Sequence, residues 1–146
     1  PILGNLILFR DCAVFSRTLG ALLGAGIPLI RALRVAREVI GNQLLTNNLL
    51  QVEEDVRGGA GLGISLEKTN QFPTLLHQLV TVGEESGRTG EILLKTAATF
   101  DNYVRNQMSA LVSALQPALI IFLAIAVGGI TITMLSAVFS MNAVEF

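Results

Sequence analysis

Apolar residues recur along this chain with a helical step. Leu8, Cys12, Phe15, Leu19 and Leu22 are spaced by fours and threes, which makes one stripe on a helix that Gly24-Ala25-Gly26 ends. Ile2–Leu8 precede it as a short apolar lead. Pro28 suits a first helical turn, and Leu29, Leu33, Ala36 and Ile40 repeat the stripe up to Gly41-Asn42. A third helix carries Leu45, Leu49, Val52 and Val56 into the glycine-rich loop Gly58–Gly63, after which Ser65 caps a short helix through Lys68. Phe72-Pro73 opens another helix with Leu76, Leu79 and Val80 inward, and Gly83–Gly90 makes the next turn. The last pattern, Leu93, Ala97, Phe100 and Val104, continues through Leu111 and Leu115 towards a kink at Pro117. No alternating run is long enough for a strand. The expected fold is all-α, an antiparallel bundle of about six helices followed by a C-terminal transmembrane helix.

Charge divides the chain. The last basic residue is Arg105, and Asn106 to Val144 hold no charge at all. Pro117 to Phe139 is almost wholly apolar and would span roughly 35 Å as a helix, against a hydrocarbon core of roughly 30 Å. The other meaning of such a run is a buried core helix, which needs a larger domain around it. All ten Lys and Arg precede the span, so the positive-inside rule places residues 1–110 in the cytoplasm. Residues 111–141 then form the transmembrane helix and 142–146 a short extracytoplasmic tail. Gly128-Gly129 and Ser136-Ala137 permit close approach of another membrane helix, although glycine is common in such helices anyway.

Composition narrows the possible functions. Hydrophobic residues make up 51% and charged residues 14%, so part of the apolar surface is not meant for water. Net charge is −1, and no basic stripe with interleaved aromatics suggests nucleic acid. Cys12 is the one cysteine, which excludes an internal disulfide and a thiolate zinc site. The chain starts at Pro1, not Met, and its lead lacks the basic region and cleavage site of a signal peptide. A fragment of a longer protein, or a chain whose earlier part was removed, is the expectation.

Candidate chemistry is sparse. His77, the lone histidine, has Pro73 and Thr81 at the i−4 and i+4 positions, so no acid orients it. Cys12 lies on an apolar stripe as a small hydrophobe. Gly58–Gly63 lacks the Lys-Ser/Thr end of a phosphate loop and follows no strand. Glu84 and Glu85, with Glu91 nearby, are the densest acidic group. They read as an acidic turn before a helix start, as a contact for a partner's basic groups, or as a weak divalent-cation site. Glu53, Glu54 and Asp55 read as a solvated face. Arg31, Arg34 and Arg37 lie on the polar side of the second helix and read first as a solvated face, with anionic lipid heads as the other contact open to them, and Arg34 is placed to pair with Glu38.

Several of these segments together resemble a known family. Phe15-Ser16-Arg17-Thr18-Leu19 and Leu22-Leu23-Gly24-Ala25-Gly26-Ile27-Pro28-Leu29 resemble the opening of the type II secretion system F domain. Phe72-Pro73 with Gly83-Glu84-Glu85-Ser86-Gly87 resembles its central signature, and Gln116-Pro117 the Glu-Pro that usually begins its last membrane helix. Gln116 departs from that glutamate. The Gly58–Gly63 loop is longer than the common pattern, although Gly63-Ile64-Ser65-Leu66 fits, and Ser136–Phe139 lack the frequent proline.

The resemblance implies the second copy of a six-helix cytoplasmic domain plus the final membrane helix of an inner-membrane platform protein. Such a protein has no enzymatic activity and no cofactor. It would couple a cytoplasmic assembly ATPase to pilin or pseudopilin fibre assembly, contact other machine subunits and membrane lipid, and self-associate. Expected partner contacts are Arg31 and Arg34 on the second helix and Gly83, Glu84, Glu85 and Gly87 at the acidic turn. A membrane-anchored helical binding or signalling module is the alternative.

Overall fold

The computed structural model describes residues 2–144, and among them every regular element is an α-helix. In chain order these are α1 (Ile2–Gly24), α2 (Leu29–Glu38), α3 (Gln43–Arg57), α4 (Leu62–Lys68), α5 (Thr74–Ser86) and α6 (Thr89–Val144). Pro1, Glu145 and Phe146, the last two part of the expected tail, lie outside the described residues, and Asn142–Val144 belong to α6. By its internal contacts the chain divides into two compact units, one up to Asn106 and one from Gln107 on.

In the first unit, sequence neighbours pack in series: α1 on α2, α2 on α3, α3 on α4 and α4 on α5. The stripe residues Phe15, Leu19, Leu45, Leu49, Leu76 and Leu93 are fully buried, each side chain contributing roughly 1.5–3 kcal/mol on leaving water. The first stretch of α6 runs antiparallel to α1. Phe9 meets Phe100 edge to face (centroids 5.4 Å apart) and Tyr103 in a tilted pair (4.3 Å), while Gly20 meets Gly90 at the other end. A Cβ on Gly20 would sit 2.9 Å from the Gly90 carbonyl oxygen, and one on Gly90 would sit 3.2 Å from that of Gly20. The two backbones touch there with no side chain between them.

Several boundaries differ from the sequence expectation. α1 begins at Ile2, not after the apolar lead; Leu6 is buried there, on a second face of the helix that Ala13 and Gly20 continue at seven-residue steps. α2 ends at Glu38, and Ile40 reaches the core from beyond it. Ser65 does not cap α4. It lies inside the helix, its hydroxyl donating to the Gly61 carbonyl at 2.7 Å. Gly83–Gly90 is not a turn throughout, since α5 continues to Ser86 and α6 starts at Thr89. Gly87 alone makes the reversal, at φ 70°, with the Arg88 amide donating to the Gly83 carbonyl at 2.9 Å.

In the second unit, α6 turns its apolar side chains outward on every side. Ile120, Phe122, Ile125 and Phe139 are all exposed, and an 18-residue window reaches a mean hydropathy of 2.6 with none of it buried. This segment is long and apolar enough to cross a membrane, and it is not a core helix of this chain. Its few hydroxyls are satisfied within the helix: Thr131 donates to Val127 at 2.9 Å and Thr133 to Gly129 at 2.8 Å. The helix continues through Pro117, whose ring leaves the Ser113 carbonyl without its usual amide partner.

Two outcomes are expected. A Cβ at Gly63 would collide with the Thr81 hydroxyl and approach the His77 carbonyl and Thr81 amide at 2.9 Å. Gly63→Ala should therefore lower unfolding stability by about 1–3 kcal/mol, whereas Gly128→Ala, which meets nothing within 4 Å, should leave the unfolding midpoint of the detergent-solubilised protein in place. Cys12 is fully buried. Burial, and then the neighbouring Asp11 charge, push its thiol from 9.0 to about 12. A folded value above the unfolded one means a contribution complete below pH 9 and lost as pH rises towards about 12. At pH 8 the native thiol should resist maleimide that labels the urea-unfolded chain within minutes, and equal labelling rates would contradict the burial.

Candidate functional site

The residues singled out from the sequence fall into two separate clusters in the first unit and one position in the second. Of the acidic group, Glu84 and Glu85 sit on the last turn of α5, and Glu91 sits on the first turn of α6, paired with Lys95 at 3.3 Å. Glu84 turns its carboxylate to the start of α4, where Oε2 accepts from the Leu62 amide and Oε1 from the Gly63 amide, both at 2.8 Å. α4 has no side-chain cap of its own, because Gly61 precedes it. Glu84 satisfies two otherwise orphan donors and sets a negative charge against the positive helix end. The carboxylate does precede a helix start, but that of α4, twenty-odd residues back, and not that of α6.

The rest of the group does different work. Gly83 is buried, and a Cβ on it would lie 2.9 Å from the Thr89 Cα. Glu85 is exposed and holds no ion pair among the described residues, and adjacent helical positions do not face each other, so the Glu84 and Glu85 carboxylates diverge. Gly87 is exposed at the left-handed position. Beside them lies an open concavity of about 390 Å³, lined by Leu23, Leu29, Leu62, Glu84, Thr89 and Gly90 among others.

The arginines of α2 are organised by a residue that the sequence suggested was solvated. Glu53 is buried, and three guanidinium groups converge on it: Arg37 on Oε2 at 2.8 Å, Arg34 and Arg57 on Oε1 at 3.2 Å. Arg34 thus pairs across to α3 and not with Glu38. The signal was present, since Glu53 falls on the same stripe as Leu45 and Leu49, two turns and one turn before it. A carboxylate in that place must be paired, because an uncompensated buried charge costs several kcal/mol. Glu54 keeps the solvated place expected of it, Asp55 takes the Gln51 amide at 3.1 Å, and Arg31 is exposed without an ion pair among the described residues. A further cross-link, from Arg17 on α1 to Asp101 on α6, has no local signature at all.

No catalytic constellation emerges from these clusters. Among the described residues no three His, Cys, Asp or Glu side chains gather as a metal site, and the His77 imidazole pairs with no acid. What the arrangement offers is charge held in fixed geometry on a helical surface, which is chemistry for docking. Pro117 stands apart, within the outward-facing apolar stretch of α6.

Glu84→Ala should cost about 1–2 kcal/mol and speed hydrogen exchange at the Leu62 and Gly63 amides. Glu85→Ala should change stability by less than about 0.5 kcal/mol. Equal exchange in the two variants would show that Glu84 does not hold the start of α4.

Comparison with known proteins fits this arrangement. Residues 15–137, which take in most of the bundle and nearly all of the apolar helix, match the family described as type II secretion system (T2SS), protein F. Over 142 residues the chain is 35% identical to the type II secretion system protein F of Pseudomonas aeruginosa, covering 97% of this chain and 35% of that protein. It is 40% identical over 116 residues to the Xanthomonas campestris pv. campestris protein of the same name, covering 80% of this chain and 29% of that one. It is 31% identical over 142 residues to the type IV pilus assembly protein PilC of Pseudomonas aeruginosa, covering 97% and 38%. The chain spans about a third of the length of these relatives. One continuous match takes in most of the helical bundle together with nearly all of the apolar helix, and the chain belongs to the type II secretion system protein F family.

Proposed function

We propose that this chain is the bundle and membrane anchor of a platform subunit in a type II secretion or type IV pilus-type machine. It would link a cytoplasmic assembly ATPase to the insertion or extraction of pilins or pseudopilins, by binding and not by catalysis. Residues 1–110 would face the cytoplasm, 111–141 would cross the inner membrane, and 142–146 would lie beyond it. The observation that carries this reading is the extent of the family match, which joins a charged helical bundle to a helix whose apolar side chains all face outward. Relatives named for both type II secretion and type IV pilus assembly support the shared role over either machine alone. Orientation rests on charge, since every Lys and Arg lies at or before Arg105.

Partner contacts in this reading fall on Arg31 and Arg34 of α2 and on the end of α5, at Gly83, Glu84, Glu85 and Gly87. Glu84 would act there while its carboxylate caps α4, so Glu85 is the freer of the two acids. Self-association would use the apolar helix or the bundle surface, with lipid covering the remainder of the helix.

The test uses the full-length protein in its own cells. A cysteine at exposed Lys68 should be protected from a membrane-impermeant thiol reagent in intact spheroplasts, and one at Asn142 should be labelled. Ile125→Arg places a charge in the apolar stretch at a cost of about 3 kcal/mol, and should abolish secretion or piliation while stopping membrane accumulation. Detergent extracts of the unaltered protein should copurify an assembly ATPase. Labelling of Lys68→Cys in intact spheroplasts would overturn the orientation, and secretion that persists in cells lacking the protein would overturn the function.

A further inference from the structure

Between α2 and α3 the protein gathers more positive charge than its fold requires. Glu53 is 6% exposed, and Arg37, at 2.8 Å and with a side chain 17% exposed, is the partner that its burial demands. One guanidinium balances one carboxylate. Yet Arg34 and Arg57 also converge, from different helices, on the single oxygen Oε1 at 3.2 Å. Three guanidinium groups thus share one carboxylate, which leaves the cluster itself with an excess of positive charge. Their side chains stay 53% and 56% exposed, and each has one N–H on Glu53, leaving most of the donor fork open to solvent. Glu38 and Glu54, the exposed acids next in sequence to Arg37 and Glu53, form no ion pair with any of these arginines and flank the patch.

We propose that Arg34 and Arg57 form a receptor for an acidic segment of a partner protein, a carboxylate of that segment bridging the two outward forks. The planar guanidinium matches a carboxylate in two-point geometry, and a lysine would not. Glu53 already holds both side chains in place, so little further freedom is lost on binding. Leu50, 46% exposed, lies on the same stripe of α3 one turn before Glu53 and two before Arg57. The fitting segment therefore carries an acidic residue beside an apolar one. A continuous anionic lipid surface fits less well, because it would also meet Glu38 and Glu54. The inference rests on reading the bundle as the partner-binding part of a machine subunit, but its test needs no machine.

The full-length protein in neutral detergent is titrated against a fluorescent peptide alternating Glu and Leu, and against its Gln/Leu counterpart. The Glu/Leu peptide should bind, the Gln/Leu peptide should not, and Arg34→Gln/Arg57→Gln should weaken binding by about tenfold or more and flatten its salt dependence. Arg37 still pairs with Glu53 in that variant, so its unfolding midpoint should stay close to that of the parent, and Arg34→Lys/Arg57→Lys should restore only part of the affinity. After reconstitution, phosphatidylcholine vesicles with and without phosphatidylserine report the lipid alternative. Equal peptide affinity in parent and double Gln variant, no peptide binding by the parent, or a defect confined to phosphatidylserine vesicles would each overturn the proposal. Any of these would leave the secretion and topology results of the preceding section standing.

Discussion

The two hydrogen bonds that the Glu84 carboxylate accepts from the amides of Leu62 and Gly63 hold together a part of the bundle that could not hold itself. A helix of seven residues is far below the length at which helices persist alone in water, and α4 follows a glycine-rich loop that supplies no cap. A carboxylate from the end of α5 provides the missing acceptors, and Gly63, lacking a Cβ, lets α5 come close enough for the reach to succeed. With α4 in place, Leu62 and Leu66 complete the core against the longer helices. Gly63 and Glu84 therefore operate as one device spread over two segments of the chain.

Much of the fold was legible because its apolar residues keep one period. Phe15, Leu19, Leu33, Leu45, Leu49, Leu76 and Leu93 were all assigned inward from spacing, and all are buried. The charge-free stretch after Arg105 was equally plain, since its outward apolar surface follows from composition alone. Boundaries were less legible. Ser65 looks like a cap because serine often is one, but the true cap comes from Glu84, and no local pattern encodes a partner so far along the chain. The turn after α5 looked longer than it is, since its glycines suggested loop where Gly83 marks a close helix contact and only Gly87 needs the left-handed conformation.

The charged clusters illustrate the same division. Glu53 seemed solvated when read with Glu54 and Asp55, although its place on the Leu45–Leu49 stripe argued for burial and for a cationic partner. That its partners would be Arg34 and Arg37 could not be seen from α2 alone, where Glu38 offered a nearer acid. The two units handle charge in opposite ways. In the bundle a buried carboxylate is surrounded by guanidinium groups, and in the apolar stretch of α6 charges are left out altogether and hydroxyls turn back on their own helix.

The contact between Gly20 and Gly90 has a consequence for how this protein can vary. Leucine side chains also stand near, but the first atom that a new methyl group would strike at either position is the main-chain oxygen of the other glycine, which no exchange of side chains can trim. Most packed pairs in a core can trade volume, a larger residue on one side being offset by a smaller one opposite. Here both partners are already the smallest residue, so a lineage that loses one glycine has no local route to compensation. Recovery would have to come from sliding one helix along the other.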